Sequence, residues 1–191
     1  MTSQSPRLRA DARRNVEGIR TAALDVFRAG GLNTPLEEVA RAAGVSKGTI
    51  YHRFGGRQGL IDAVVEDLVA ERIRGIITAA AAVDDPVERF ETYLRQIWLL
   101  QYDEPAANDV LLRALPGSAP VTALCEHASA AAAGFLADAQ ATGVIRGDLT
   151  PQDVDLLVWE RGIIARACEQ QPRDGYRRRL EFTLRGLRAA G

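Results

Sequence analysis

Residues 34–60, TPLEEVARAAGVSKGTIYHRFGGRQGL, form the most informative stretch of the chain. They predict two short helices, 35–43 and 47–54, joined by a tight turn, which together make a helix-turn-helix. Ala40 is small enough to stand where two helices cross closely, and Gly44 tolerates the positive φ that a sharp turn requires. The second helix of such a motif enters the major groove of DNA by its N-terminal end. The stretch therefore predicts contact with duplex DNA.

Both short helices carry sequence signals for their first turn. Thr34, Pro35 and Glu37 have the spacing of a capping box, with proline at the first helical position, so Glu37 is interpreted as a capping residue. Ser46 is a good cap for the second helix. The end of this helix that is expected to face DNA carries hydrogen-bond donors and one glycine that permits close approach: Ser46, Lys47, Gly48, Thr49, Tyr51 and His52.

The charge of the chain is distributed unevenly. The 191 residues carry a net charge of −1, yet residues 1–60 hold ten basic and five acidic side chains, and the remainder is acidic overall. A basic first third on an acidic body is typical of a protein whose first third meets a polyanion. Chance segregation of the charges is the alternative.

The segment AGVSKGTIYHRF, residues 43–54, followed by G-x-x-x-L, resembles the signature of TetR-type bacterial transcription regulators. The resemblance covers residues 12–60 closely. The rest is similar only in length and helical pattern. The resemblance implies an all-α fold with an N-terminal three-helix DNA-binding domain, residues 1–56, and a C-terminal helical domain for ligand binding and dimerisation, residues 57–191.

The resemblance also implies roles for individual residues. Lys47 and Gly48 match positions that read base edges, and His52 matches a variable position that reads bases in some members. Thr49 and Tyr51 match positions that contact the phosphate backbone. Arg57 matches the basic residue, usually lysine, that grips a phosphate from the start of the fourth helix. Its side chain is expected to be exposed.

Some of these residues have a second interpretation that the sequence leaves open. Lys47 is the only lysine in the chain and could be an ordinary solvated residue. The Tyr51 ring could pack in the core while its hydroxyl reaches a phosphate. Near the N-terminus, an arginine arm could reach the minor groove or act only as a solubilising tail: Arg7, Arg9, Arg13 and Arg14.

Helical periodicity extends along the whole chain, and strand patterns are nearly absent. Glycine, proline and capping residues divide the pattern into about nine helices, which are expected at residues 11–29, 35–43, 47–54, 57–82, 87–102, 105–115, 120–142, 151–168 and 173–189. The link between the two parts is itself helical, so they should share one rigid connection.

The body contains no recognisable catalytic, nucleotide-binding or metal-binding motif, and two cysteines and two histidines are too few for a metal cluster. No enzymatic activity and no cofactor are therefore expected. Scattered aromatic residues and one arginine in apolar segments instead predict a cavity for an unknown small-molecule effector, although ordinary core packing would explain most of them: Tyr93, Trp98, Tyr102, Arg113, Phe135 and Trp159.

A homodimer is expected through the last two helices, because the resemblance implies a four-helix bundle there. The residues predicted to form it lie on one stripe of each helix: Val154, Leu157, Val158 and Arg161 on the first, and Tyr176, Leu180, Thr183, Leu184 and Leu187 on the second.

The predicted function is that of a cytoplasmic repressor that a small-molecule effector releases from a palindromic DNA operator. No membrane span and no secretory signal are expected, because no long apolar run exists. An effector-independent DNA-binding regulator is the alternative, and a well-packed body without a cavity would favour it. An all-helical enzyme is a remote third possibility, which clustered titratable residues in the body would support.

Overall fold

The computed structural model describes residues 6–112, 117–167 and 172–189, with side chains from residue 14 onward. Its helices are α1 (Pro6–Gly30), α2 (Leu36–Ala42), α3 (Lys47–Phe54), α4 (Arg57–Val65), a π turn (Glu66–Ala70), α5 (Glu71–Ala81), α6 (Pro86–Asp103), α7 (Pro105–Leu111), α8 (Ala119–Ala141), α9 (Pro151–Ala167) and α10 (Arg173–Gly186). Because α4, the π turn and α5 are continuous, the described residues form nine helical stretches, which confirms the predicted all-α class.

The first three helices form a small bundle around fully buried side chains of α1, α2 and α3, among them Phe27, Val39 and Ile50. The glycine positions set the turns between them. Gly31 ends α1 with a φ of 78°, and Gly44 makes the turn of the helix-turn-helix with a φ of 66°. Both values lie in the left-handed region, where a side chain is strained, so the predicted turn is confirmed.

The capping signals have different outcomes at the two short helices. Ser46 caps α3 as predicted, because its Oγ accepts a hydrogen bond of 3.1 Å from the Thr49 N–H. The capping box at α2 does not form. Thr34 Oγ1 donates instead to the Gly31 carbonyl, at 2.9 Å, and Pro35 is the residue before the helix rather than its first residue. The left-handed turn at Gly31 brings that carbonyl within reach of Thr34.

The body is arranged around α6, which packs against α5, α7, α8, α9 and α10. Fully buried apolar side chains along α6 include Phe90, Leu94 and Trp98. The buried hydrophobic residues of the first three helices and of the body form one continuous cluster. The N-terminal bundle is thus supported directly by the body.

The π turn interrupts the long helix that the sequence predicts without a break. It lies where this helix packs against α1 and α7. Asp67 in the turn accepts a hydrogen bond of 2.9 Å from Arg20 of α1, and the neighbouring Leu68 is buried. Such turns within α-helices often mark functional positions. Here the turn joins the N-terminal bundle to the body.

The ends of several helices differ from the sequence expectation. The first helix begins at Pro6, five residues earlier than predicted, and the last one ends at Gly186, three residues earlier. The chain after Gly186 pairs with the loop that follows α8, through a hydrogen bond of 2.8 Å from the Ala189 N–H to the Val144 carbonyl. These tertiary hydrogen bonds replace the last helical turn.

Candidate functional site

The N-terminal end of α3 forms an exposed polar surface. Ser46, Lys47 and Gly48 are exposed, and so are Tyr51 and His52 one turn further along. The structure therefore brings the predicted DNA-facing residues together on one side of the helix. Two hydroxyls there are already engaged with each other, because Ser46 Oγ and Thr49 Oγ1 lie 2.9 Å apart in a hydrogen bond.

Tyr51 does not pack in the core, because its side chain is 51% exposed. Its ring covers the loop between α3 and α4, where a Cβ added to Gly56 would lie 3.0 Å from the ring. The Lys47 ammonium lies 6.0 Å from the centre of the same ring. The ring thus supports both the loop and the lysine, and core packing of Tyr51 is excluded.

The Lys47 ammonium forms an ion pair with the Glu37 carboxylate of α2, with Nζ and Oε1 2.5 Å apart. Glu37 is therefore an ion-pair partner and not the capping residue that the sequence suggests. The hydrogen bond raises the pKa of Lys47 and lowers the pKa of Glu37. Both groups are exposed, so the pair stays charged at neutral pH and is screened by salt. In this arrangement Glu37 is paired with the lysine that is proposed to contact DNA.

We expect Glu37→Gln to strengthen DNA binding roughly 3–10-fold at low salt, because it removes a negative charge and releases Lys47. Fluorescence anisotropy with a selected DNA duplex measures the change. Glu38→Gln is the matched control, since Glu38 is an exposed carboxylate on the same helix that lies 3.9 Å from Arg41. Equal effects of the two substitutions would mean that only net charge matters and that Lys47 is not held back by Glu37.

Arg57, at the start of α4, differs from its sequence interpretation. Its guanidinium is half-buried and donates to the Thr34 carbonyl at 2.7 Å and to the Leu32 carbonyl. It also lies 6.0 Å from the centre of the Phe27 ring. Burial lowers the pKa of Arg57. The expectation of an exposed side chain is wrong, because the loop between α1 and α2 has carbonyl oxygens that this arginine satisfies.

The predicted aromatic residues of the body do not surround one cavity. Tyr93 donates a hydrogen bond of 2.8 Å to the Ala128 carbonyl and packs edge-on against Phe135. Trp98 is fully buried, and Tyr102 stacks on the Tyr176 ring. Arg113 lies outside the described residues, as do the side chains of the N-terminal arm up to residue 13.

The interior of the body leaves little free space near these residues. A cavity of about 30 Å³ lies among α6, α8 and α9, and Tyr93 and Trp159 are in its wall. This volume is the share of one water molecule in the liquid. The described part of the body therefore lacks the effector-sized apolar cavity at this place that the sequence suggested.

A larger space of about 760 Å³ lies between the N-terminal bundle and the body. Its walls come from the last turn of α1, the loop that follows it, and residues of α6, α7 and α9: Arg28, Ala29, Gly30, Gly31, Asn33, Gln101, Tyr102, Asp103, Pro105, Asn108, Asp109, Ala165 and Arg166. Of the predicted pocket residues that the structure describes, Tyr102 lines this groove, and the sequence analysis did not indicate the rest of its wall. Asn108 and Asp109 could have indicated it, since they are two polar residues between the apolar pairs 106–107 and 110–111.

The apolar stripes predicted for dimerisation are covered in part by the body. Val154 on α9 and Tyr176, Leu180 and Leu184 on α10 are buried against the body. The buried members of these stripes are not free for a partner, because the body uses them as its own core, whereas Leu157, Val158, Arg161 and Thr183 are only half-buried. Large apolar side chains on the outer faces of the same helices are 39–57% exposed: Leu156, Trp159, Ile163 and Phe182.

Within the described ranges, no three His, Cys, Asp or Glu side chains form a group that could hold a metal ion. No helix in those ranges has the length and apolarity that a membrane span requires.

Comparison with known proteins agrees with this architecture. Residues 19–64 match the family described as bacterial regulatory proteins, tetR family, and residues 85–189 match the SbtR-like transcriptional regulator C-terminal domain. The chain is 40% identical over 79 residues to the HTH-type transcriptional regulatory protein RaaS of Mycobacterium tuberculosis. That alignment covers 41% of the chain and only 35% of the relative.

Solved structures share the fold over nearly the whole chain. A TetR transcriptional regulator from Streptomyces coelicolor is 28% identical, with a TM-score of 0.54, and the alignment covers 92% of this chain and 99% of that one. RolR in complex with resorcinol is 17% identical, with a TM-score of 0.64 and coverage of 95% and 90%. Since both parts of the chain match TetR-type domains, the chain belongs to the TetR family of bacterial regulatory proteins.

Proposed function

We propose that this protein is a DNA-binding transcriptional repressor of the TetR family that works in the cytoplasm. In this proposal residues 1–56 bind DNA, and residues 57–191 dimerise and receive an effector. The observation that carries it is the exposed end of α3, where Lys47, Tyr51 and His52 face outward from a basic N-terminal bundle. An exposed helix end of this kind fits a major groove.

Gly48 supports the assignment of this surface to a partner. A Cβ added there would meet only Ser46 Oγ, at 3.5 Å, which is an ordinary contact. Packing within the described chain therefore does not require glycine at this position. The missing side chain leaves room for a close approach to another molecule, as DNA needs. In the proposal Lys47 and His52 read bases, whereas Thr49 and Tyr51 contact phosphates.

Selection of bound fragments from random DNA tests the proposal and supplies the operator. We expect a palindrome whose half-sites are about one helical turn apart, or a multiple of that distance. No enrichment of any sequence, together with no salt-dependent binding to duplex DNA, would contradict the proposed function.

Lys47→Ala should cost about 1–3 kcal/mol per half-site at one base position and relax the preference there. Binding to operators that vary at each position measures this effect. Arg146→Ala is a suitable control, because Arg146 is an exposed body arginine paired with Asp148. A uniform loss on all sequences would make Lys47 a phosphate contact instead of a base reader.

We propose that the homodimer forms through the outer faces of α9 and α10. Leu156, Trp159 and Ile163 stand at positions i, i+3 and i+7 of α9, so they share one face. Phe182 adds an exposed ring from α10. Four large exposed apolar side chains on two neighbouring helices form a patch of the kind that marks an interface. A two-fold axis through it would pair the patch with its own copy.

Release of the operator by a small-molecule effector completes the proposal. RolR, whose fold is similar, was solved with resorcinol bound. In this chain, the groove between the N-terminal bundle and the body has room for a molecule of that size. The nearly filled cavity at Tyr93 favours a second candidate, a regulator that needs no effector. Ligands of the groove that leave operator affinity unchanged would support the second candidate.

A further inference from the structure

A buried carboxylate of the body lies against the loop that joins α1 to α2. Asp109, on α7, is 2% exposed, and its Oδ2 accepts a hydrogen bond of 2.6 Å from the Leu32 N–H. A Cβ added to the preceding Gly31 would lie 2.6 Å from the same oxygen. The backbone of the loop therefore approaches this carboxylate more closely than a side chain at residue 31 would allow.

The polar contacts that α1 makes with the π turn are of a different kind. Arg20 donates to the Asp67 carboxylate at 2.9 Å and Arg28 donates to the Asp67 carbonyl at 3.4 Å, and both hydrogen bonds are exposed to solvent. Water and salt weaken such contacts. A hydrogen bond to a charged group that is shielded from water is stronger. The Asp109 contact therefore holds the loop more firmly than these two hold α1.

Leu32 connects this carboxylate to the start of α4. While its N–H donates to Asp109, its carbonyl accepts from Arg57, the first residue of α4. The recognition helix α3 ends shortly before Arg57, at Phe54. On its other side Asp109 forms an ion pair through Oδ1 with Arg166 of α9, the helix proposed to form the dimer. Contacts thus run from the dimer helix through Asp109 to the segment that carries α3.

We propose that Asp109 positions the N-terminal bundle on the body and so sets the separation of the two recognition helices in the dimer. This role rests on the proposed function, since it concerns how a dimer meets an operator. Each recognition helix reads its own half-site, whereas the angle of each bundle on its body decides which half-site spacing fits. Asp109 is buried away from DNA, so it acts on spacing and leaves base preference unchanged.

Asp109→Leu and Asp109→Asn form a matched pair, because the three side chains have nearly the same branched shape and only leucine lacks an oxygen that accepts from the Leu32 N–H. Fluorescence anisotropy measures binding to operators built from the selected half-sites, with one or two base pairs inserted or removed between them. The unmodified chain and Asp109→Asn should prefer the selected spacing by at least about tenfold, and Asp109→Leu by less than about threefold. Base preference within one half-site should be the same in all three.

Lower stability alone should not produce this pattern. Leu136→Ala shortens a buried side chain of α8 within the body, so it should lower the melting temperature and keep the spacing preference. If Leu136→Ala relaxes the spacing as much as Asp109→Leu does, the effect is one of general stability and the proposal is wrong.

A measurement without DNA tests the same position directly. Nitroxide labels on Arg53→Cys in α3 and Ala130→Cys in α8 occupy exposed sites, in a chain whose Cys125 and Cys168 are replaced by serine. Pulsed electron spin resonance, with labelled chains diluted by unlabelled ones, gives the distance between bundle and body. The distribution should be narrow in the unmodified background and with Asp109→Asn, and broader with Asp109→Leu.

Three results would overturn the positioning role. Asp109→Leu would have to keep the narrow distribution, keep the spacing preference, or lose base preference within the half-site, which would make Asp109 a general support of the bundle. If Asp109→Leu does not fold, Asp109→Ala takes its place with the same expectations. If the unmodified chain binds no DNA, the proposed function fails, and the distance distributions still decide whether Asp109 positions the bundle.

Discussion

Replacing Arg57 by alanine will lower the free energy of unfolding by about 2–4 kcal/mol, because two backbone carbonyls lose a charged donor and the Phe27 ring loses its cover. The carbonyls belong to Leu32 and Thr34, in the loop that joins α1 to α2. Denaturant unfolding measures the loss. Arg53→Ala is the matched control on the neighbouring helix, since Arg53 is exposed, and it should leave stability within about 0.5 kcal/mol.

The same experiment separates the two roles of Arg57. If Arg57 instead grips a phosphate, Arg57→Ala will leave stability unchanged, and the slope of log K against log salt will shrink by roughly two for a dimer. Arg57→Lys should recover only part of the stability, because one ammonium cannot copy the two directed N–H groups of the guanidinium. Full recovery by lysine would contradict the structural role.

Ile163→Asp will weaken dimerisation at least about 100-fold, because a two-fold interface contains the substitution twice and buries two carboxylates in an apolar contact. Ile163 is 57% exposed on α9, so the change should not disturb the core of the subunit. Sedimentation equilibrium at micromolar concentration measures the association. A monomer can contact only one half-site of the operator, so the affinity for the operator should fall as the dimer dissociates.

Thr122→Asp is the matched control for this prediction. Thr122 is exposed in the first turn of another helix, α8, and receives the same new charge there. It should leave the dimer intact. If Ile163→Asp leaves the dimer unchanged, the outer faces of α9 and α10 are not the interface. If the unmodified chain is a monomer, the proposed dimer is wrong.

Local chemistry explains why so much of the fold was predictable. The turn at Gly44 requires a positive φ. The cap at Ser46 requires a side-chain hydroxyl three residues before the backbone N–H that donates to it. Both conditions involve neighbours in the chain, so residues 43–54 show them directly. The all-α class follows in the same way, because helical periodicity, glycine stops and proline starts are local patterns.

The roles of single side chains were less predictable. Lys47 was correctly expected at the exposed end of α3, but its partner Glu37 lies on another helix, at a spacing that no local pattern specifies. Arg57 bonds to carbonyls that lie 23 and 25 residues earlier in the chain. Whether an arginine faces DNA or a loop depends on where that loop comes to lie after folding.

The sequence by itself therefore determined the helices, the helix-turn-helix and the residues offered at its exposed end. The tertiary structure alone decided which face of α9 is covered, because Val154 and Ile163 belong to two apolar stripes of one helix and only packing selects the inner one. It also decided where space remains for a ligand. A cavity is the volume left between helices that are distant in sequence, and so it has no local pattern to reveal it.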